Sequence, residues 1–272
     1  MLPANHSLDS VYFERMKSGL GEKSMLVSAA APGTVLNVGA GGPELSIAFE
    51  EAGHRVISLD ASEDSCSRLR AAGLETIHGN AEDLLTLVTE PIHNVVFSSI
   101  LHEVFSYASG DGREAIRDVL RQAFEILEPG GRILIRDGVK PPAGRGTLIA
   151  ETSEMRELIR EYIAKSPLMG DEVRVEQVNG NSWEGSIPSV LEILNTVNWG
   201  RNSLPREMNE LFGVFTLSEY ANEIAEAGFT SIAAAPCANT YQKHLEGKAH
   251  VQDDEGHAMW IPPTAMWTAQ KQ

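Results

Sequence analysis

The stretch Thr34-Val35-Leu36-Asn37-Val38-Gly39-Ala40-Gly41-Gly42-Pro43-Glu44 decides the fold. Its apolar run, TVLNV, reads as a short buried strand that stops at a cluster of glycines. Gly39 permits a tight turn out of the strand, and Gly41 lets a ligand approach the backbone closely. Beyond the loop, Glu44 to Ala52 (ELSIAFEEA) has the apolar spacing of an amphipathic helix, stopped by Gly53. Such a helix presents its first N–H groups to whatever sits at the loop.

Working outward, the alternation continues. His54 to Leu59 (HRVISL) is a second strand, closed by Asp60, whose carboxylate is placed to accept hydrogen bonds from ribose hydroxyls. Glu63 to Ala72 is a polar helix, Glu75 to His78 a third strand and Asn94 to Ser99 a fourth. Arg113 to Leu127 is a long helix, and Pro129-Gly130-Gly131 turns into a fifth strand, Arg132 to Arg136. Strands separated by helices of this length are βαβ units, which predict an α/β, doubly wound sheet. After Pro141 the rhythm breaks. Residues 141–215 show helical stretches, Ser153 to Lys165 and Ile187 to Thr196, but no strand signal. It resumes with a helix, Leu217 to Ala227, and strands at Ser231 to Ala235 and Ala265 to Gln270. A segment inserted at the carboxyl end of a parallel strand lies over the ligand crevice of such a fold, so a lid is expected.

Composition narrows the function. The chain has 272 residues, ample for a core without staples. Its 38 acidic against 22 basic residues give a formal net charge of −16. No Lys/Arg cluster exists to neutralise phosphates, which argues against nucleic acid and against an anionic membrane surface. No run approaches the ~20 apolar residues of a membrane span. The first residues, MLPANHSLDSVYFERMK, lack the apolar core of a secretory signal. Cys66 and Cys237 make neither a disulfide framework nor a zinc spacing. A reducing, cytoplasmic location is expected.

A dinucleotide fingerprint would place its third glycine where this chain has Glu44, and a carboxylate there repels a pyrophosphate. The loop instead resembles the first motif of the class I S-adenosylmethionine (SAM)-dependent methyltransferases, whose ligand carries no phosphate. Gly79-Asn80-Ala81-Glu82-Asp83-Leu84 resembles that family's adenine-contacting segment, and Ser98-Ser99-Ile100-Leu101-His102-Glu103 the stretch after its fourth strand. Leu127-Glu128-Pro129-Gly130-Gly131-Arg132 resembles its turn into strand five, and Ser218-Glu219-Tyr220 through Ala227-Gly228-Phe229 its late helix and turn. There are departures: Asn37 stands where an acid is common, Pro43 where a glycine is common, and Asn80 where an aspartate is frequent. The side-chain amides of Asn37 and Asn80 still accept or donate a hydrogen bond.

The resemblance implies a Rossmann-like, mostly parallel seven-stranded sheet with an antiparallel last strand and a helical insertion after strand five. The expected organisation is an N-terminal helical segment over 1–30, a cofactor-binding domain over 31–140 and 216–272, and the insertion over 141–215. It also implies SAM as cofactor, held by Asn37, Gly39, Ala40, Gly41, Asp60, Ala61, Asn80, Ala81, Ser98 and Ser99.

Methyl transfer from a sulfonium is an in-line displacement, so the protein must align a nucleophile and exclude water. A base is needed only where that nucleophile must lose a proton. His102, after the fourth strand, is the candidate base; a capping or packing role is the alternative. Arg136 and Asp137, ending strand five, either orient a polar substrate or pair with each other. Trp183 and Trp199 in the insertion suit an apolar pocket or the insertion's own core, and Tyr241 and His244 lie downstream as further substrate candidates. His250, Asp253, Asp254 and His257 (HVQDDEGH) read as a solvated hairpin turn, so no metal is expected. Tyr12 and Met16 fall on an N-terminal helix that folds over the cofactor or simply packs. The expected function is methylation of a small-molecule acceptor, with a homodimer left open. The alternative is a methyltransferase-fold protein that uses the cofactor for cyclisation, rearrangement or regulation.

Overall fold

The run Thr34–Val38 is strand β1, and all five of its side chains are buried. The structure, a computed structural model, describes residues 20–237 and 242–272. Strands β2 (Arg55–Asp60), β3 (Glu75–His78), β4 (Ile92–Ser98) and β5 (Leu127–Gly138) follow at the expected places. Then come β6 (Arg145–Ala150), β7 (Val175–Asn179), β8 (Ser182–Ser186), β9 (Thr230–Pro236), β10 (Ala249–Gln252), β11 (Ala258–Met259) and β12 (Thr264–Gln270).

The first sheet has seven strands in the order β3-β2-β1-β4-β5-β12-β9. Strands β1 to β5 pair in parallel, and β12 runs antiparallel to β9. The doubly wound sheet with an antiparallel last strand is therefore present. Its central strands β1, β2 and β4 are buried along nearly their whole length, as a sheet covered on both faces requires. Helix Gly112–Ile126 shows why the pattern was readable: Ile116, Val119, Leu120 and Ala123 fall on one buried stripe, and Asp111 caps the N-terminus by accepting from Arg113 N and Glu114 N.

The chain divides into two compact units. Residues up to Asp137, with Leu217–Pro236 and Ala265–Gln272, form the first; Gly138–Thr216 and Cys237–Thr264 form the second. The second unit carries helices Ser153–Lys165 and Ile187–Val197, as expected, but also a five-stranded sheet in the order β11-β10-β6-β8-β7. The span expected to be helical is thus mixed, and residues 237–264 cluster with it rather than with the first sheet. The physical reason is composition. Strand β7 is exposed at four of its five positions, and β8 (SWEGS) holds one large apolar residue, so neither shows readable alternation.

That one residue organises the unit. Leu148 on β6 lies opposite both Trp183 and Val251 across the sheet. These pack with Ile159, Tyr162 and Ile193 from the two helices in a single core. Glu192, inside helix Ile187–Val197, accepts from Phe212 N at 2.8 Å and Gly213 N at 3.1 Å. The segment so pinned continues to Phe215, whose carbonyl accepts from Lys140 N at 2.7 Å.

Candidate active site

The glycine loop is closed by an acid from the neighbouring strand. Gly39 and Gly41 both adopt left-handed conformations, φ +64° and +62°. A Cβ on Gly39 would lie 2.4 Å from Ile100 Cγ1, so only glycine fits there. Gly41 N donates to Asp60 Oδ2 at 2.7 Å, and Ser62 N donates to Oδ1 at 2.8 Å. Asp60 therefore clasps the loop to the turn after β2. Gly79 N donates to Asp60 O at 3.0 Å, which draws the Gly79–Ala81 segment against the end of β2. Asp60, Ala61, Asn80 and Ala81 are thus gathered at the carboxyl ends of β2 and β3.

Beneath the loop lies a short polar chain that sequence reasoning did not find. Asn37 Nδ2 donates to Ser46 Oγ at 2.9 Å, and Ser46 Oγ lies 2.8 Å from Ser58 Oγ. Asn37 Oδ1 and Ser98 Oγ are buried with no hydrogen-bond partner among the described residues. Because Asn37 registers with Val96 on β4, it shares a sheet face with Ser98 two residues on. A buried acceptor left unpaired costs about 1–3 kcal/mol, so two of them suit a site that a donor-bearing ligand completes. The signal available in the sequence was the polar residue inside TVLNV.

The ends of β4 and β5 make the second half of the site. Ser99 has φ +60°, a conformation that costs a side-chain-bearing residue roughly 1–2 kcal/mol. Ser99 N donates to Arg136 O at 2.7 Å, and Arg136 Nη1 donates back to Ser99 Oγ at 2.8 Å. Asp137, fully buried, faces the other way. Its Oδ2 accepts from Ile100 N at 3.1 Å and Leu101 N at 2.7 Å, and its Oδ1 lies 2.6 Å from His102 Nδ1. Helix Leu101–Tyr107 has no side-chain cap of its own, since Ile100 occupies that position. Asp137 caps it from β5 instead. Burial pushes the Tyr220 phenol well above its ordinary pKa, and the nearby Asp137 carboxylate adds to the effect.

The remaining sequence candidates fall elsewhere. Trp183 is 2% exposed in the core of the second unit, because strand alternation turns it toward the helices. That is a packing position and corrects its reading as a substrate contact. His244 is exposed on helix Gln242–Leu245; Tyr241, Tyr12 and Met16 lie outside the described residues. His250 Nδ1 is turned to Glu151 at 2.7 Å, whereas Asp253 Oδ1 accepts from Glu255 N and His257 N within the β10–β11 turn.

Residues 36–135 match the sequence profile of the family described as a methyltransferase domain. Among solved structures, the chain is similar to a SAM-dependent methyltransferase from Thermotoga maritima (15% identity, TM-score 0.53, covering 96% of this chain and 94% of that one). It is also similar to the plantazolicin methyltransferase BamL, solved with a triazolic desmethylPZN analog and S-adenosylhomocysteine (13%, TM-score 0.54, 96% and 89%). A third is an O-methyltransferase family protein from Burkholderia thailandensis (12%, TM-score 0.51, 96% of this chain), of which the chain spans 57%. No curated protein matches it in sequence. The fold is that of the class I, Rossmann-like methyltransferases.

Proposed function

We propose that this protein transfers a methyl group from SAM to a small-molecule acceptor. The observation that carries the reading is the left-handed Gly39–Gly41 loop, clasped by Asp60 above the unpaired Asn37 Oδ1. An acceptor oxygen at that place suits the ammonium of an amino acid end, and the Asp60 carboxylate suits ribose hydroxyls. Gly39, Ala40 and Gly41 would bring backbone against the ligand, with Ala61, Asn80 and Ala81 at the adenine and Ser98 and Ser99 near the sulfonium. Bound SAM supplies an electrophilic methyl carbon. The chain's own task is then to hold the acceptor in line with it and keep water away.

His102 is the proposed catalytic residue, and Arg136 the proposed contact for a polar acceptor. The inserted second unit is proposed to select the acceptor, and the acidic net charge supports a metabolite rather than a nucleic acid. No helix among the described residues is long and apolar enough to cross a membrane. Both cysteines are unbridged and buried, which supports a cytoplasmic location.

Calorimetry with SAM and S-adenosylhomocysteine tests the binding half of this reading. Release of S-adenosylhomocysteine on incubation with acceptors tests the transfer half. Binding of SAM with no demethylated product from any acceptor would favour a cyclising, rearranging or regulatory role instead.

A further inference from the structure

We infer that His78, with both ring nitrogens protonated, is a positioning residue that latches the adenosine end of the cofactor site; this rests on the methyl-transfer reading above. His78 is the last residue of β3, directly before the Gly79–Ala81 segment. Its Nε2 lies 3.0 Å from Ala61 O, and its Nδ1 lies 3.1 Å from Glu63 Oε2. The ring therefore reaches from the end of β3 to the turn that follows Asp60 on β2. Neither oxygen can donate. A backbone carbonyl only accepts, and so does an ionised carboxylate. Glu63 is kept ionised by Arg70, whose Nη1 donates to Oε1 at 2.8 Å and holds the carboxyl below its ordinary pKa. A neutral imidazole has one N–H and one lone pair, and would set that lone pair against an oxygen. Only the imidazolium matches both.

The two segments so joined are those proposed to close on the adenosine. Ala61 follows Asp60, and Asn80 and Ala81 follow His78. The bond from Gly79 N to Asp60 O is one tie between them, and the ring adds a second, to the next carbonyl along. Two elements pack against β3. Helix Glu63–Ala71 brings Glu63, bound in turn by Arg70, and Cys66, whose thiol burial pushes up to about 11 and so leaves uncharged. Strand β2 brings Asp60, in register with His78, with its oxygens turned to Gly41 N and Ser62 N. On β3 itself Glu75 is turned to Arg55, and beyond Ala81 come Glu82 and Asp83. As pH rises through the range where histidines lose their charge, roughly pH 5–8, one of the two contacts is lost and the turn is released from β3. The ring is about half exposed to water, so the effect on affinity is modest, about two- to fivefold.

Two probes separate the latch from the reading it rests on: SAM itself, and 5′-methylthioadenosine, which shares the adenosine but carries no ammonium or carboxylate of its own to titrate. In the full-length protein, calorimetry should find 5′-methylthioadenosine bound about two- to fivefold more tightly at about pH 5.5 than at about pH 8. His78→Leu makes neither contact and should bind it at the weaker level at both values. His78→Gln can donate to Ala61 O whatever the pH. Its affinity should be independent of pH, and at about pH 8 should exceed that of His78→Leu. A residue that merely packs would show no such rescue. A pH dependence as large in His78→Leu as in the wild type overturns the inference. So does His78→Gln binding no better than His78→Leu. If His78→Leu does not fold, the wild type and His78→Gln decide, since equal pH dependence in those two is equally fatal. Failure of the wild type to bind SAM at either pH sinks the methyl-transfer reading, and the latch with it.

Discussion

Asp60 and Gly41 are joined by a 2.7 Å hydrogen bond from backbone amide to carboxylate, across the gap between the glycine loop and β2. The acid at the end of the second strand thus shapes the loop as well as facing the crevice. Asp60→Ala should therefore act twice. Each bond lost to a charged group is worth about 1.5–3 kcal/mol, so SAM affinity should fall at least tenfold and the melting temperature should drop with it. Calorimetry that finds the affinity unchanged removes Asp60 from the site.

Gly39 should tolerate no side chain. Alanine there meets Ile100 Cγ1 at 2.4 Å in a left-handed conformation. The expected loss is about 1–2 kcal/mol from the backbone and about 1–3 kcal/mol from the clash. Ile100→Ala removes the Cγ1 contact but leaves Cβ at 2.9 Å, so a double-mutant cycle should show partial rescue only. Urea denaturation gives the four stabilities; strict additivity would mean that the two residues do not meet.

Trp183→Ala should cost about 3–5 kcal/mol in the second unit, the penalty for emptying a large core position. SAM affinity should be unaffected. A variant that melts like the wild type yet loses turnover would return Trp183 to the substrate contacts.

The Cys66 thiol, on helix Glu63–Ala71, is pushed up to about 11 by burial, with the Asp60 carboxylate adding to the effect. Its folded-state pKa lies above the unfolded one, so folding favours the protonated form. That contribution is present below the ordinary thiol value of 9.0 and is lost as pH rises toward about 11. Stability measured across that window should decline, and Cys66→Ala should flatten the slope. At neutral pH the folded protein should resist alkylation at this position.

What the sequence revealed tracks where a single local signal sufficed. TVLNV, the glycines after it and Asp60 are adjacent in the chain or on adjacent strands, and they were readable together. The amphipathic helix Gly112–Ile126 declared itself by one apolar stripe. Asp137 did not, because its role as a cap for Ile100 and Leu101 depends on β5 lying beside β4. Strand alternation alone does say that Arg136 and Asp137 face opposite sides, which separates their roles. The Asn37–Ser46–Ser58 chain joins two strands and a helix, and no spacing in the sequence announces it. In the second unit, the strands betray little because their outer positions are polar and short.

The position of β12 has a consequence for how the chain matures on the ribosome. It lies between β5 and β9 in the sheet, yet it follows both, and all of the second unit, in the order of synthesis. The bonds joining Gly130 N to Lys271 O and Lys271 N to Gly131 O link residues far apart in sequence. A nascent chain that has emerged only as far as β9 holds two strands whose partner has not been made. Their exposed edges invite mispairing with other chains. Completion of the first sheet therefore waits until β12 has emerged, and is sensitive to whatever shields those edges in the interval.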